Sequence, residues 1–124
     1  MIKIAVVGSG YWGKNLVRNF HSLGALSAIC DKDPKVLAKF QEEYQEIPGV
    51  SDFDDLLDDS TTPVDALAIA SPAETHYTLA KKGLMAGKHI FVEKPLSLTI
   101  EEGHELVELA EQYQLTLMVG HILH

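Results

Sequence analysis

Two hydrophobic periods alternate along the chain. Short apolar runs rich in β-branched residues give way to stretches in which apolar residues recur every three or four positions. Residues 2–7 predict a first strand. Residues 11–23 predict a helix with Leu16, Val17, Phe20 and Leu23 on one face and Gly24 as its stop. Residues 26–30 predict a second strand. Pro34 opens the next helix at a position that tolerates proline, and Val36, Leu37, Phe40 and Tyr44 form its apolar stripe. Residues 48–50 leave room for a short third strand, and residues 53–57 for a short helix. A fourth strand is predicted over residues 66–70, a helix over 75–85 ending near Gly87, and a fifth strand over 89–92. Thr99-Ile100-Glu101-Glu102 has the form of a capping box. It opens a helix carrying Leu106, Val107, Leu109, Ala110 and Tyr113, and residues 116–119 predict a sixth strand before Gly120 and His121.

Strands alternating with helices define βαβ units, hence an α/β fold with a parallel sheet covered on both faces. Right-handed crossovers leave few topologies. The leading one is the doubly wound Rossmann sheet of about six strands in the order 3-2-1-4-5-6. With 124 residues the chain is expected to be one domain over residues 1–124, without repeat or linker.

Charge and cysteine content narrow the partners. A net charge of −8 argues against nucleic acid or an anionic membrane as the main partner, yet allows a local pocket for an anionic cofactor. Cys30 is the only cysteine, so no internal disulfide forms, which fits a reducing compartment. No apolar run approaches the length of a transmembrane helix, and the segment before Gly8 is too short for a signal peptide. The expected location is the cytoplasm.

The first strand runs into Gly8-Ser9-Gly10-Tyr11-Trp12-Gly13, a G-x-G-x-x-G turn between a predicted strand and a predicted helix. In that context Gly8 permits the tight turn, Gly10 lets a pyrophosphate approach the backbone, and Gly13 lets the helix pack on the strand. The helix start offers N–H groups and a positive dipole end to phosphates. Ser9 lies inside this turn, and Tyr11 and Trp12 are expected to pack near the phosphates or against a further domain. Asp31 closes the second strand, 23 residues after Gly8. It has two readings: an exposed turn aspartate, or an acceptor for the hydroxyls of an adenine ribose. The second would repel a 2′-phosphate and favour NAD over NADP, with the adjacent Lys32 softening that discrimination.

Ser71-Pro72 ends the fourth strand and Glu93-Lys94-Pro95 the fifth. In a doubly wound sheet both ends lie on the ligand side, beyond strand one. There an ammonium group on Lys94 can assist deprotonation of a substrate hydroxyl, Pro95 can fix its direction, and Glu93 can bond a ribose hydroxyl. A plain solvated lysine after a strand is the competing reading.

These pieces, with Asp31, Ala70-Ser71-Pro72, Thr75-His76 and the run Ala86-Gly87-Lys88-His89-Ile90-Phe91-Val92-Glu93-Lys94-Pro95-Leu96-Ser97, carry a resemblance. The chain resembles the N-terminal domain of the glucose–fructose oxidoreductase, inositol dehydrogenase and rhizopine catabolism (Gfo/Idh/MocA) family over essentially its whole length. The resemblance implies NAD(P)-dependent hydride transfer on sugars, cyclitols or sugar nucleotides, with Lys94 at the nicotinamide and substrate. Gly120-His121-Ile122-Leu123 is similar to the subgroup acting on nucleotide-linked sugars, such as UDP-N-acetylglucosaminuronate 3-dehydrogenases. Members of the family carry a second α+β domain after this point. The chain is therefore expected to be a truncated dehydrogenase that binds cofactor without turnover and self-associates through its exposed edge. The rival readings are a stand-alone dinucleotide-binding module and a Rossmann domain for FAD or a methyl donor.

Other residues invite less. The six histidines do not form a metal-ligand spacing, His121 and His124 included. His76 lies near the cofactor side and is a site candidate, with a backbone-bonded histidine at the helix start as the alternative. The acidic run from Asp52 to Asp59 lacks the glycine and terminal glutamate of a calcium loop, and Phe53, Leu56 and Leu57 are expected to be buried. Cys30 is expected to be a buried small apolar residue.

Overall fold

The computed structural model describes residues 2–8, 11–58 and 62–120. Its strands are β1 (Ile4–Val7), β2 (Leu26–Cys30), β3 (Gly49–Val50), β4 (Ala66–Ile69), β5 (His89–Glu93) and β6 (Leu117–Gly120). Its helices are α1 (Tyr11–Ser22), α2 (Pro34–Glu43), α3 (His76–Met85) and α4 (Ile100–Gln112), with short 3-10 turns at Phe53–Leu56 and Ala73–Thr75. All pairings are parallel, in the order β3-β2-β1-β4-β5-β6. This is the doubly wound Rossmann sheet that the sequence predicts.

Alternation along the strands sorts side chains between two layers. Ala5, Val7, Cys30, Leu67, Ile69, Ile90 and Val92 face the layer holding the Phe53–Leu56 turn, α3 and α4. Val6, Ile29 and Ala68 face α1 and α2. The central strands β1 and β4 present almost no surface to water, as a parallel sheet covered on both faces requires. Burying each such aliphatic side chain contributes roughly 1.5–3 kcal/mol.

The helix ends follow local chemistry. Asp33 caps α2, its carboxylate accepting from the Lys35 N–H at 2.9 Å, and Pro34 takes the first helical position. Thr99 caps α4, its hydroxyl accepting from the Glu102 N–H at 3.2 Å. Tyr77 on α3 donates its hydroxyl to Glu105 on α4 at 2.6 Å, and Lys81 pairs with the same carboxylate at 2.8 Å. The Lys81 hydrogen bond, then that of Tyr77, holds the Glu105 carboxyl below its usual range.

Three predicted core positions are corrected. Leu23 is 67% exposed, because α1 stops at Ser22 and the chain turns outward before the next strand. Val107 and Tyr113 are also exposed: the contact stripe of α4 runs through Leu106 and Ala110 and leaves Val107 on the outer face, while Tyr113 stands past the helix end. On the α1/α2 side of the sheet, Met118 of β6 is exposed. Among the described residues no helix is long and apolar enough to cross a membrane.

Candidate functional site

The site lies at the carboxyl ends of β1, β2 and β4, and Gly8 stands at its centre. Both neighbours of β1 hold it to its last residue: the Gly8 N–H donates to the Cys30 carbonyl at 2.9 Å, and the Ala70 N–H donates to the Val7 carbonyl at 2.7 Å. Gly8 has φ +91°, and a Cβ there would meet the Ser71 backbone nitrogen at 2.6 Å. A side chain is therefore excluded twice, by conformation and by space. A Cβ on Gly13 would collide with the Gly8 carbonyl oxygen, so the start of α1 packs directly on the turn. Ser9 and Gly10 lie outside the described residues, as do the side chains of Tyr11 and Trp12.

Beside this turn opens a cavity of about 640 Å³, the size of a pocket for one small ligand. Val7, Gly8 and Cys30 form its floor. Phe53, Pro72 and Leu79 supply apolar wall, suited to a planar base. Asp31, Lys32 and Ser71 supply polar rim. Asp31 is held in place by accepting the Asp33 N–H at 2.8 Å. The hydroxyls run in a relay. Thr75 donates to the Pro72 carbonyl at 2.6 Å, and its oxygen lies 2.6 Å from that of Ser71. With the Thr75 proton committed, Ser71 donates to Thr75 and turns only acceptor lone pairs elsewhere. A rim of acceptors beside an apolar wall matches the hydroxyls and base of a nucleoside.

Of the predicted site residues, the fold brings Gly8, Asp31, Lys32, Ser71 and Pro72 together on this cavity. Glu93, Lys94 and Pro95 stand one strand further, at the end of β5. The Lys94 N–H donates to the Gly120 carbonyl at 3.0 Å, its side chain is exposed, and the Lys94–Pro95 peptide is cis. Of the two readings of His76, the structure follows the backbone-bonded histidine at the helix start and not the cofactor contact. His76 is 2% exposed and absent from the cavity wall. Its Nδ1 lies 2.6 Å from the Pro95 carbonyl oxygen and its Nε2 2.7 Å from that of Ser71. Both ring nitrogens face backbone, which leaves no polar atom for a ligand. Lys88, from the same glycine-lysine-histidine run, serves the opposite end of the sheet: it is buried and its ammonium donates to the Val64 carbonyl at 2.7 Å.

Sequence reasoning missed Ser51, Phe53 and Leu79 as parts of the wall, and gave Thr75 only as part of the family resemblance. Ser51 and Phe53 follow β3, whose place beside β2 brings them to the rim; the strand order carries that signal. Among the described residues no cluster of three metal-ligating side chains exists. Burial first, and then the carboxylates of Asp31, Asp52 and Asp55, push the Cys30 thiol up to about 12.

The comparisons agree with this geometry. The family model described as "Oxidoreductase family, NAD-binding Rossmann fold" (Gfo/Idh/MocA) matches residues 2–121. A glycosyl hydrolase family 109 protein of Shewanella amazonensis is 33% identical over 129 residues, covering 95% of this chain and 28% of that protein. The scyllo-inositol dehydrogenase of Lactobacillus casei, solved with NAD(H) and scyllo-inositol, superposes with TM-score 0.86 at 31% identity, over 97% of this chain and 36% of its own. The WlbA dehydrogenase of Chromobacterium violaceum, solved with NADH and UDP-GlcNAcA, gives TM-score 0.86 at 28% identity, over 96% and 34%. The chain belongs to the Gfo/Idh/MocA oxidoreductase family and carries its NAD-binding Rossmann domain. It spans about a third of the length of these relatives.

The Cys30 thiol tests the packing of the cavity floor. Its raised value means that its stabilising contribution is present below the ordinary thiol range and is lost as pH rises toward about 12. At pH 8 a thiol reagent should label the folded chain slowly and the urea-unfolded chain at once. Fast labelling of the folded chain would show an open floor.

Proposed function

We propose that this domain binds NAD with its adenosine in the cavity beside Asp31, its pyrophosphate at the start of α1, and its nicotinamide toward the ends of β4 and β5. The observation that carries this reading is the pairing of Asp31 and Ser71 on either side of Gly8, along one cavity of nucleoside size. Asp31 accepts ribose hydroxyls and disfavours a 2′-phosphate, so NAD is preferred; NADP remains a weaker ligand, with Lys32 close enough to accommodate it. When bound, NAD supplies the hydride acceptor. Within the complete protein Lys94 takes the proton of a substrate hydroxyl as the hydride leaves the same carbon, Pro95 follows it at the strand end, and Glu93 accepts from a ribose hydroxyl. Sugars, cyclitols and nucleotide-linked sugars are the proposed substrates, in line with scyllo-inositol and UDP-GlcNAcA in the related structures. A second domain supplies the remaining substrate contacts. The protein works in the cytoplasm, a setting that suits one buried, reduced cysteine.

The domain also self-associates in this reading. The support is the edge position of β6 and the exposure of Met118 and Val119 on it. Sedimentation over a range of concentrations should show a species heavier than the 13.6 kDa monomer; a single monomeric species throughout contradicts it.

Calorimetric titration tests the cofactor assignment. NAD should bind and NADP bind much more weakly, with Asp31→Ala narrowing the gap. Equal binding of both by the unaltered chain would remove Asp31 from the discrimination. In the complete enzyme Lys94→Ala should lower kcat far more than it weakens NAD binding, because the lysine acts on the substrate proton. Unchanged kcat would remove Lys94 from the chemistry.

A further inference from the structure

His76 is one of two buried polar or charged side chains among the described residues. It opens α3 directly after the Ala73–Thr75 turn, is 2% exposed, and has a carbonyl oxygen against each ring nitrogen. Both separations, 2.6 Å to Pro95 and 2.7 Å to Ser71, lie at or below the short end of the usual N–H···O range. Carbonyl oxygens only accept. A ring with a single N–H would satisfy one of them and turn a nitrogen lone pair against the other at hydrogen-bond distance. Two donating N–H groups make both contacts attractive, and charge-assisted bonds are the shorter and stronger kind.

What the ring joins matters more than the bonds themselves. Ser71 stands two residues past the end of β4 and lines the nucleoside cavity, with its hydroxyl already committed to Thr75. Pro95 immediately follows Lys94 at the end of β5. The regular β4–β5 ladder stops at the pairing of Ile69 with Val92. Beyond it, the ring of His76 is a direct polar link between the two strand extensions. Neither Ser71-Pro72 nor Lys94-Pro95 offers a backbone N–H at its proline to continue the ladder.

We infer that His76 is a positioning residue whose ring, donating from both nitrogens, clasps the carbonyls of Ser71 and Pro95 and so sets where Lys94 stands relative to the cofactor cavity. Its bearing on Lys94 rests on the reading of that lysine proposed above; the clasp itself does not. His76 touches no ligand in this assignment and acts through the backbone of its two partners.

The test is a ring-nitrogen NMR spectrum of the folded chain, joined to amide spectra of His76→Phe and His76→Gln. Both ring nitrogens of His76 should carry a proton. In the variants the amide signals of Ala73 and Leu96, the first amides after the clasped residues and their prolines, should shift or broaden, while those of Ala5 and Val6 in β1 hold still. With NAD present, the variants should keep the response at Asp31 and lose it at Lys94. A ring nitrogen without a proton, or Ala73 and Leu96 signals unmoved in a folded variant, overturns the clasp. Should neither variant fold, the ring spectrum of the unaltered chain still decides. Absence of any NAD response in the unaltered chain would count against the cofactor reading and leave the ring result standing by itself.

Discussion

The absence of one carbon atom at position 8 holds the site together. Gly8 lies where three strands end, bonded to Cys30 on one side and pressed against Ser71 on the other. A methyl group there would sit 2.6 Å from a backbone nitrogen and would need a positive φ that side chains avoid. Because nothing intervenes, β4 stays tight against β1 up to its last residue, and Asp31 and Ser71 flank the same cavity. Gly13 repeats the device within the first turn of α1, bringing the helix down onto the Gly8 carbonyl. Strand ends, helix start and cavity rim are thus placed by backbone contact, which is stiffer than contact through side chains.

The electrostatics of the cavity suit a molecule with an anionic middle and hydroxyl-bearing ends. Asp31 and Ser71 present acceptors, while the helix start presents donors and a positive dipole end. Cys30 registers the negative side of this field, since the carboxylates of Asp31, Asp52 and Asp55 add to burial in keeping its thiol protonated. An acidic chain can therefore hold an anionic cofactor, provided the phosphates meet backbone donors and stay clear of the carboxylate rim. In the cofactor reading proposed above, the same field disfavours an extra phosphate on the ribose.

Much of this was legible in the residues. Alternating periods gave six strands, four long helices and a short one, in their sequence along the chain, because β-branched runs and three-to-four spacing are local signals that the sheet then reinforces. The glycine turn was readable from its place between a predicted strand and a predicted helix, and the position of Asp31 from the end of the second strand. Side-chain exposure was less so: Leu23, Val107 and Tyr113 continue apolar patterns, yet stand outside the contact stripe, since a few degrees of helix rotation or one residue of helix length decides which side meets the sheet. Phe53 and Leu79 reach the cavity through the strand order, and no motif marks them. His76 was visible as a candidate, but its two carbonyl partners come from segments five and nineteen residues away, a juxtaposition only the folded chain creates.

The most direct measurement is a backbone-amide NMR titration of the chain with NAD, mapped residue by residue. The largest changes should gather at Gly8, Asp31, Ser51, Phe53 and Ser71, tracing the cavity along the ends of β1, β2 and β4. Changes confined to the basic groove between α1 and α2, at Lys14, Arg18 and Lys39, would place the nucleotide on the wrong surface and contradict the assignment of the site.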